Sequence, residues 1–487
     1  MKFKSKINIP LVLRIEGFLV LIEGLFMLTV LPVTYFHHGL YTFSMPFSAL
    51  ITLLTGTMLI FATHNHRREK TTSHDGVFVV CISWLVLSFF GAMPYLLSKS
   101  VPNFTDGFFE ALSGFTTTGA TVFTRIEAVP KDILLWRSMT QWLGGLAVIV
   151  FTIAILPFLS MGGMQLFVAE MNGINYGKLH PRIMHTAWRV WAIYLFFTLF
   201  ETLLLYWGDM SLYDALCHSM ATVSTGGFST RSASMGAFSC YSQLVVSVFM
   251  VLAGCNFSLL LLSLSRKPFM LFRNQEFKTF LKYILLASVG IGLVLLASCR
   301  MGFGTAFRQS FFSVVSTLTT TGFFVGDYTA WPTFAVIVLF LLMFVGACSG
   351  STSGGVKIFR HLIFTRNSLL ELKRVIHPNA LIPVKVNGKA ISSSGIYKNV
   401  TFIVIYFLFF LVGTILVLFT GADFDTAVGA SVAALSNIGT GIGHVGPGGS
   451  YVVFPIGTKW ILMLLMLLGR VELFSLITLF SRNYWRN

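Results

Sequence analysis

Four short stretches rich in threonine, serine and glycine interrupt an otherwise apolar sequence. They read SGFTTTGATVF from Ser113, ATVSTGGFST from Ala221, VSTLTTTGFF from Val314 and ALSNIGTGIG from Ala434. Rings of hydroxyl and backbone carbonyl oxygens can replace the hydration shell of a monovalent cation. Glycine accepts the positive φ angles that turn successive carbonyl groups the same way, whereas a residue with a Cβ resists them. These residue types therefore indicate an ion pathway.

Each stretch follows an amphipathic segment that is too short to cross a bilayer, which needs about 20 helical residues. The predicted unit is a long helix, a half-length helix, the polar stretch and a second long helix. With Gly119, Gly226, Gly322 and Gly439 as equivalent points, the spacings are 107, 96 and 117 residues, close to one repeat of about a hundred. One copy alone could be a turn or a packing patch. Four parallel copies can close around an axis and favour an ion pathway.

The half-length helices should direct their negative C-terminal ends toward the cavity below the polar stretches, which favours a cation there. Acidic residues lie near three of the predicted N-terminal ends, where a carboxylate complements the opposite pole. They are Asp106, Asp214, and Asp423 or Asp425. The third segment lacks an acid and would use Gly304 or Thr305.

Composition places the chain in a membrane. Its 487 residues are 55% hydrophobic and 11% charged, with a mean hydropathy of +0.79, against roughly a quarter charged in soluble domains. Its six cysteines have no paired spacing, which argues against a disulfide framework or a metal site. Hydropathy predicts ten crossings at about 11–33, 43–64, 76–98, 132–160, 186–207, 241–264, 279–299, 332–375 (interrupted), 396–420 and 453–481.

Basic residues predict the orientation. Of the 34 Lys and Arg residues, 24 lie in one alternating set of loops and tails and seven in the other. The positive-inside rule then places both termini in the cytoplasm. The same asymmetry accounts for the net charge of +16 without a nucleic-acid partner. Inner basic loops could bind membrane lipids or a protein partner.

The predicted fold class is an all-α integral membrane protein with four pseudo-repeats around one pore, preceded by two extra transmembrane helices. The predicted divisions are residues 1–70 for those two helices, 71–175 for repeat 1, 176–270 for repeat 2, 271–385 for repeat 3 with its interrupted second helix, and 386–487 for repeat 4.

The interruption of the eighth crossing reads GACSGSTSGGVK, from Gly346 to Lys357. Small polar residues cannot face lipid without leaving backbone groups unsatisfied, so this segment should face a cavity. It is a candidate gate, although a kink with close packing is the alternative. A phosphate-binding loop is excluded because Val356 occupies the lysine position of that motif. The candidate gating residues are Gly346, Ser349, Gly350, Ser351, Thr352, Ser353, Gly354 and Gly355.

Arg470 lies in the middle of the last crossing, where a charge costs at least about 2.5 kcal/mol. We expect it to stand in or beside the pathway as a positive barrier and to anchor the gating segment. A buried ion pair that only holds helices together is the alternative. Glu472, two residues on, lies on a different helix face.

Several motifs together resemble the bacterial Trk/Ktr/HKT superfamily of potassium transporters. They are SGFTTTGATVF, WRSMTQWLGGLAVIV, STGGFST, TTTGF, SNIGTG and GRVELFSL, and the extra helix pair resembles the TrkH branch. The resemblance covers essentially the whole chain. It implies potassium as the transported ion, a homodimer with one pore per subunit, and a cytosolic TrkA-like regulatory subunit that binds nucleotide.

The resemblance also implies a selectivity filter and a gating loop in the eighth crossing. In that superfamily a serine at the first filter glycine goes with sodium permeation, so four glycines point to potassium. The implied filter residues are Thr116, Thr117, Thr118, Gly119, Val223, Ser224, Thr225, Gly226, Thr319, Thr320, Thr321, Gly322, Ser436, Asn437, Ile438 and Gly439.

The sequence thus predicts a gated, potassium-selective pore in the bacterial inner membrane, with no enzymatic activity and no organic cofactor. A potassium symporter coupled to protons or sodium is the alternative. The intramembrane carboxylates available for a proton relay are few, which favours channel-like flux: Glu16, Glu23, Glu201 and Glu472. Glu16 and Glu23 share a helix face, either as a functional pair or packed near Arg14. His444 is either a pH sensor or a surface residue without function.

Overall fold

The computed structural model describes residues 7–38, 43–64, 73–159, 179–265, 269–377, 382–471, 473–481 and 484. Helices dominate this part of the chain. The long helices and helix pairs are Ile9–His38, Ser44–Ala62, Ser73–Gly91 with Met93–Leu97, Lys131–Leu159, Leu179–Trp207, Cys240–Ala253 with Phe257–Ser265, Gln275–Cys299, Thr333–Met343 with Ile358–Ile376, Ser393–Phe419, and Ile456–Arg470 with Leu473–Phe480.

These helices fall in the ten predicted crossing regions. Six described spans are long and apolar enough to cross a bilayer unaided, or seven if the bent pair Cys240–Ala253 and Phe257–Ser263 counts as one span. The fold is all-α and membrane-embedded, as predicted. Smaller elements are the helix Met270–Arg273, the 3-10 turns Ile126–Ala128, Ser234–Ala237, Tyr328–Ala330, Gly443–Val445 and Tyr451–Val453, and the strands Lys385–Val386 and Lys389–Ala390.

Besides a one-residue interruption of the third crossing at Ala92, two crossings are broken where the hydropathy predicted continuous helices. The predicted helix 241–264 is wrong, because the chain bends by 98° after Ala253. Asn256 restarts the helix, since its side-chain oxygen accepts hydrogen bonds from the N–H groups of Ser258 at 2.9 Å and Leu259 at 3.1 Å. The predicted span 453–481 is likewise divided, with one helix ending at Arg470 and the next beginning at Leu473.

The four half-length helices are present, at Phe104–Phe115, Leu212–Val223, Phe303–Leu318 and Phe424–Leu435. Three have 12 residues and the third has 16. Because a helix rises about 1.5 Å per residue, none of them spans a hydrocarbon core of about 30 Å.

Side chains cap three of the half-length helices, from Asn103, Ser211 and Asp423. Asp106 and Asp214 lie three residues after their caps and accept hydrogen bonds back from the cap side chains at 2.9 Å. The third helix has no side-chain cap, and the prediction that Gly304 or Thr305 caps it is wrong, because the helix begins after Gly302.

The two ends of the described chain lie on the same side of the helix bundle. The backbone N–H of Asn8 donates to Asp75 Oδ1 at 2.8 Å, and the Tyr484 hydroxyl donates to the carbonyl oxygen of His74 at 2.6 Å. Both partners lie at the start of the third crossing. This arrangement agrees with an even number of crossings.

A buried ion pair connects the last crossing with the first half-length helix. Lys459 Nζ lies 2.6 Å from Asp106 Oδ1, and both side chains are about 5% exposed or less. The pair links sequence positions that are 353 residues apart. It therefore brings the fourth repeat unit against the first.

Removing one partner of this pair should destabilise the fold strongly. In Lys459→Met the carboxylate of Asp106 stays buried without its cation, so we expect the free energy of unfolding to fall by about 3–5 kcal/mol. Denaturant unfolding of the purified protein in detergent measures this loss. The exposed pair Arg374–Glu371 is the control, because removing a surface pair should cost about 1 kcal/mol or less.

Lys459→Met combined with Asp106→Asn removes both charges and should recover most of the lost stability. A double variant as unstable as Lys459→Met alone would contradict this account, because packing rather than charge would then set the cost.

Candidate ion pathway

All four half-length helices end in the same turn. The residue after each C-cap adopts a left-handed conformation, with φ of +51° at Thr117, +54° at Thr225, +57° at Thr320 and +54° at Asn437. The next residue's N–H bonds back to the last helical turn, as in Thr118 to Ser113 at 2.8 Å and Thr321 to Ser316 at 2.9 Å. This pattern is the Schellman motif. Threonine is unusual in its left-handed position.

A second left-handed residue follows two positions later, and it is glycine in every copy: Gly119, Gly227, Gly322 and Gly439, with φ between +81° and +82°. The predicted equivalence of Gly226 is therefore wrong, and Gly227 is the matching residue. Val223 is the last residue of its half-length helix, so the second stretch begins one residue later than predicted, at Ser224.

The four stretches form a closed ring around one axis. A Cβ added to one of these glycines would lie against a carbonyl oxygen of the next stretch in the ring. The distances are 2.2 Å from Gly119 to Gly226, 1.9 Å from Gly227 to Thr321, 1.9 Å from Gly322 to Ile438, and 2.4 Å from Gly439 to Thr118. Each contact leads to the following repeat, and the last returns to the first. Glycine is thus required by conformation and by space.

Two side chains from outside the ring donate hydrogen bonds to its carbonyl oxygens. Gln141 donates through Nε2 to the carbonyl oxygen of Gly226 at 2.7 Å and accepts from the N–H of Phe228 at 3.0 Å. The Tyr451 hydroxyl donates to the carbonyl oxygen of Gly439 at 2.8 Å. Gln141 was not predicted as functional. The available signal was a carboxamide in the middle of an apolar crossing.

The loops that follow the four stretches are also connected in a ring. Ser232 N donates to Glu127 Oε1 at 2.7 Å, Phe324 N to Ser234 Oγ at 3.5 Å, Tyr328 Oη to the Gly441 carbonyl at 2.7 Å, and Tyr451 N to the Thr121 carbonyl at 2.8 Å. These four bonds join the first repeat to the second, the second to the third, the third to the fourth and the fourth to the first. Burial alone would raise the pKa of Glu127, but the hydrogen bonds from Ser232 outweigh it and lower the pKa.

A buried ion pair supports the first two stretches. Arg137 Nε lies 2.5 Å from Glu110 Oε1, and the guanidinium also donates to the carbonyl oxygen of Ser229 at 3.0 Å. Glu110 in turn accepts from the N–H of Val122 at 2.9 Å. The guanidinium carbon lies 3.5 Å from the ring centre of Phe228. One charged pair therefore fixes the backbone that follows two of the four stretches.

The interrupted segment of the eighth crossing lies directly against the helix-side ends of three stretches. Thr225 Oγ1 donates to Thr352 Oγ1 at 3.1 Å, and Gly354 N donates to Thr320 Oγ1 at 2.7 Å. A Cβ on Gly354 would lie 2.2 Å from the carbonyl oxygen of Ser436. The segment therefore lies on the axis of the ring, on the side where the half-length helices have their C-terminal ends.

The segment is compact and internally bonded. Gly346 and Gly355, with φ of +73° and +72°, pack so closely that a Cβ on Gly355 would lie 3.0 Å from Gly346 Cα. Ser351 Oγ lies 2.7 Å from Ser353 Oγ. Ser349 and Gly350 face the break in the sixth crossing, where Asn256 donates to the Ser349 carbonyl at 2.6 Å. The close packing weighed above as the alternative to a gate is therefore present in this segment.

Arg470 contacts the same segment. Its Nη1 donates to the carbonyl oxygen of Thr352 at 2.8 Å and its Nη2 to that of Gly144 at 3.5 Å. The side chain is 7% exposed. Glu472, weighed above as a possible partner, lies outside the described residues. Arg470 therefore contacts the interrupted segment, and its anchoring role stays a prediction.

The other residues named in the sequence analysis lie outside the contacts that form the ring. Glu16 accepts from Ser83 Oγ at 2.8 Å, while Glu23 and Glu201 are buried. His444 is exposed, and its Nε2 lies 3.8 Å from Asp423 Oδ1. Among the residues that the structure describes, no group of His, Cys, Asp and Glu could hold a metal ion.

Four half-length helices around a closed ring of glycine-containing backbone define a membrane protein of the ion-permeation class. Comparison with known families makes this assignment specific. The TrkH family model, described as a cation transport protein, matches residues 46–303 and 300–487. The chain belongs to this family.

Individual relatives agree with the family. The chain is 38% identical to the Trk system potassium uptake protein TrkH of Salmonella typhimurium over 86% of this chain and 88% of that protein. It is 36% identical to TrkH of Halomonas elongata over 98% and 100%. The crystal structure of the potassium transporter TrkH from Vibrio parahaemolyticus matches with a TM-score of 0.91 and 33% identity, covering 99% of this chain and 100% of that one.

The corrected glycine register can be tested by stability. In Gly227→Ala the new Cβ meets a backbone carbonyl and an unfavourable φ, which alone costs about 1–2 kcal/mol. In Gly226→Ala the φ angle is ordinary and the new Cβ meets only the Gln141 side chain, which can move aside at the cost of its hydrogen bonds to Gly226 and Phe228. We expect Gly227→Ala to lower the thermal midpoint of the purified protein more than Gly226→Ala. The reverse order would restore the register predicted from sequence.

Proposed function

We propose that the chain conducts potassium ions across the bacterial inner membrane through a selective, gated pore. The observation that carries this proposal is the closed ring of four glycine-containing turns. Relatives that share essentially its full length are potassium uptake proteins and a potassium transporter. These relatives are transporters, and the chain is not an enzyme.

The filter consists of the left-handed turns and the residues beside them. In our proposal, backbone and threonine oxygens of these turns coordinate dehydrated potassium, with Gly227 added at the corrected position. Four half-helix C-terminal ends, each carrying about half a negative charge, stabilise the cation below the filter. Glycine at all four ring positions supports potassium rather than sodium, on the superfamily pattern.

The gate is the segment from Gly346 to Gly355 together with Arg470. Its hydrogen bonds to Thr225 and Thr320 support a closed state, because the segment occupies the axis directly below the filter. Arg470 adds a positive charge at the same depth and holds Thr352 through its carbonyl oxygen. Opening then requires the segment to leave the axis and its bond to Arg470 to break.

Coupling to protons or sodium is the second candidate. The observation that favours it is the pair of buried carboxylates at Glu23 and Glu201. Within the described residues, neither carboxylate hydrogen-bonds to the ring, so channel-like flux is the function that the geometry supports best.

Four further features belong to the proposal. The chain acts as a homodimer with one pore per subunit, and a cytosolic TrkA-like nucleotide-binding subunit regulates it. Both termini lie in the cytoplasm of a chain whose membrane-spanning helices contact lipid. Each repeat is a structural unit, with divisions after residues 70, 175, 270 and 385. The domain divisions at 70 and 175 fall outside the described residues.

The filter assignment predicts the effect of a serine at the first ring glycine. In Gly119→Ser the side chain would displace the neighbouring Gly226 carbonyl, which a Cβ approaches to 2.2 Å. We expect the reversal potential under opposed potassium and sodium gradients to move from near the potassium equilibrium value toward that of sodium. Purified protein in lipid vesicles, compared with wild type, provides the measurement.

An unchanged reversal potential in Gly119→Ser would contradict the filter assignment. Current that requires a proton or sodium gradient in wild type would instead favour the symporter.

The gate assignment predicts the effect of removing Arg470. Arg470→Ala loses the bond to Thr352 and the positive barrier, so potassium flux per molecule should rise by about tenfold, the effect of one charge-assisted hydrogen bond. Arg470→Lys keeps the charge but loses the planar fork and should lie between. Vesicle flux is normalised to the amount of protein. Flux that merely follows protein abundance would mean that Arg470 only holds helices together.

A further inference from the structure

The gating segment is clamped from the side opposite the filter by two polar side chains. Glu276 Oε1 accepts from the backbone N–H of Ser349 at 2.6 Å, and Asn256 Nδ2 donates to the carbonyl oxygen of the same residue at 2.6 Å. Both backbone groups of one gating residue are thus held by side chains from two other crossings. Neither Asn256 nor Glu276 belongs to the filter or to the gate proposed above.

The residue that precedes Glu276 is held in position by a small hairpin. Gln275, the preceding residue, donates its N–H to Asn387 Oδ1 at 2.8 Å and accepts at Oε1 from the N–H of Asn387 at 2.9 Å. Arg366 Nη1 donates to the same Gln275 oxygen at 2.8 Å. A two-bond contact therefore connects the hairpin turn to the residue beside the clamp.

The geometry of this hairpin is specific. Its strands Lys385–Val386 and Lys389–Ala390 pair antiparallel across Asn387 and Gly388, whose φ angles are +51° and +79°. Two positive φ angles in an Asn-Gly pair are the signature of a type I′ turn. The turn presents the Asn387 side chain and backbone N–H to Gln275 together.

The hairpin also packs on the helix that follows the gating segment. Val384, Val386 and Ile391 form a small apolar cluster with Phe359 and Ile363 of the helix Ile358–Ile376. The hairpin therefore contacts neighbours of the gating segment in two places. One is Gln275, beside the clamp residue Glu276, and the other is the helix that follows the gating segment.

We propose that Glu276 and Asn256 are positioning residues that hold the gating segment closed, and that the hairpin at 384–391 sets their position through the Asn387–Gln275 contact. This inference rests on the proposed gate for its functional meaning. When the hairpin moves, it shifts Gln275 and with it Glu276, and so changes the hydrogen bond between Glu276 and the N–H of Ser349. On the predicted orientation the hairpin faces the cytoplasm, where a regulatory protein can reach it.

Release of the segment can be measured without ion flux. Cys348 lies beside Ser349 and is 2% exposed, whereas Cys217, in the second half-length helix, is fully buried and remote from the clamp. We would follow maleimide modification of each cysteine by mass spectrometry, with the full chain in lipid nanodiscs. Glu276→Ala should raise the rate at Cys348 by about tenfold, the effect of one hydrogen bond to a charged group. The rate at Cys217 should not change.

Three more variants examine how the hairpin is coupled to the gating segment. Asn387→Gly keeps a residue suited to positive φ but removes the side chain, and should raise the Cys348 rate several-fold. Lys389→Ala changes the same hairpin outside the contact and should have no effect. Glu276→Gln retains an acceptor oxygen and should lie between wild type and Glu276→Ala.

Unchanged Cys348 modification in Glu276→Ala and Asn387→Gly would overturn the inference, and so would a parallel rise at Cys217, which indicates general loosening. An equal effect of Lys389→Ala would overturn the Asn387–Gln275 step. Potassium flux in vesicles separates the two proposals. If Cys348 becomes reactive while flux stays at the wild-type level, the clamp stands and the proposed gating role of the segment is wrong.

Discussion

Non-helical backbone at membrane depth is the constraint on which the rest of this structure depends. Lipid offers no hydrogen-bond partners, so such backbone must be enclosed by protein or face water. Four stretches meet this requirement together: each helix end is closed by its own Schellman turn, and each ring glycine lies against a carbonyl of the next stretch. No single repeat could satisfy these groups alone. The half-length helices, their caps and the long crossings around them serve to bring the four stretches together.

Buried charges on the two sides of the ring likewise have their partners inside the protein. On the side of the half-helix N-terminal ends, Glu110–Arg137 and Lys459–Asp106 are complete ion pairs, in which each charge has an opposite charge within about 2.6 Å. The close opposite charge offsets much of the desolvation cost of each buried group. Lys459–Asp106 joins the fourth repeat to the first, and the Arg137 guanidinium reaches the second repeat through its bond to the Ser229 carbonyl oxygen. On the other side, Arg470 is bonded to backbone carbonyl oxygens. Carbonyl dipoles carry no net charge and do not neutralise the guanidinium. Its positive charge can therefore repel cations, as the proposed barrier requires.

Much of this architecture could be predicted from the sequence, because the signals are local. Half-length amphipathic segments, caps such as Asp423, and the Thr-Gly stretches all lie within about 20 residues of one another. The register of the second stretch could not be predicted, since Gly226 and Gly227 are both glycine and only the φ angle distinguishes them. The break at Gly254 was hidden by apolar neighbours on both sides. Gln141 and Glu276 act on backbone far away in sequence, which one sequence does not reveal.

The ring has near fourfold symmetry, but the segment below it does not. Selection needs symmetry, because a dehydrated cation loses ligands on all sides and requires oxygens on all sides in return. Closure needs no such symmetry, since one segment on the axis blocks the whole pathway. Repeat 3 alone carries the twelve-residue interruption, and the contacts of that segment with Thr225, Thr320 and Ser436 differ from one repeat to the next. Its closing contacts can therefore change in sequence or strength without altering the oxygens that distinguish one ion from another.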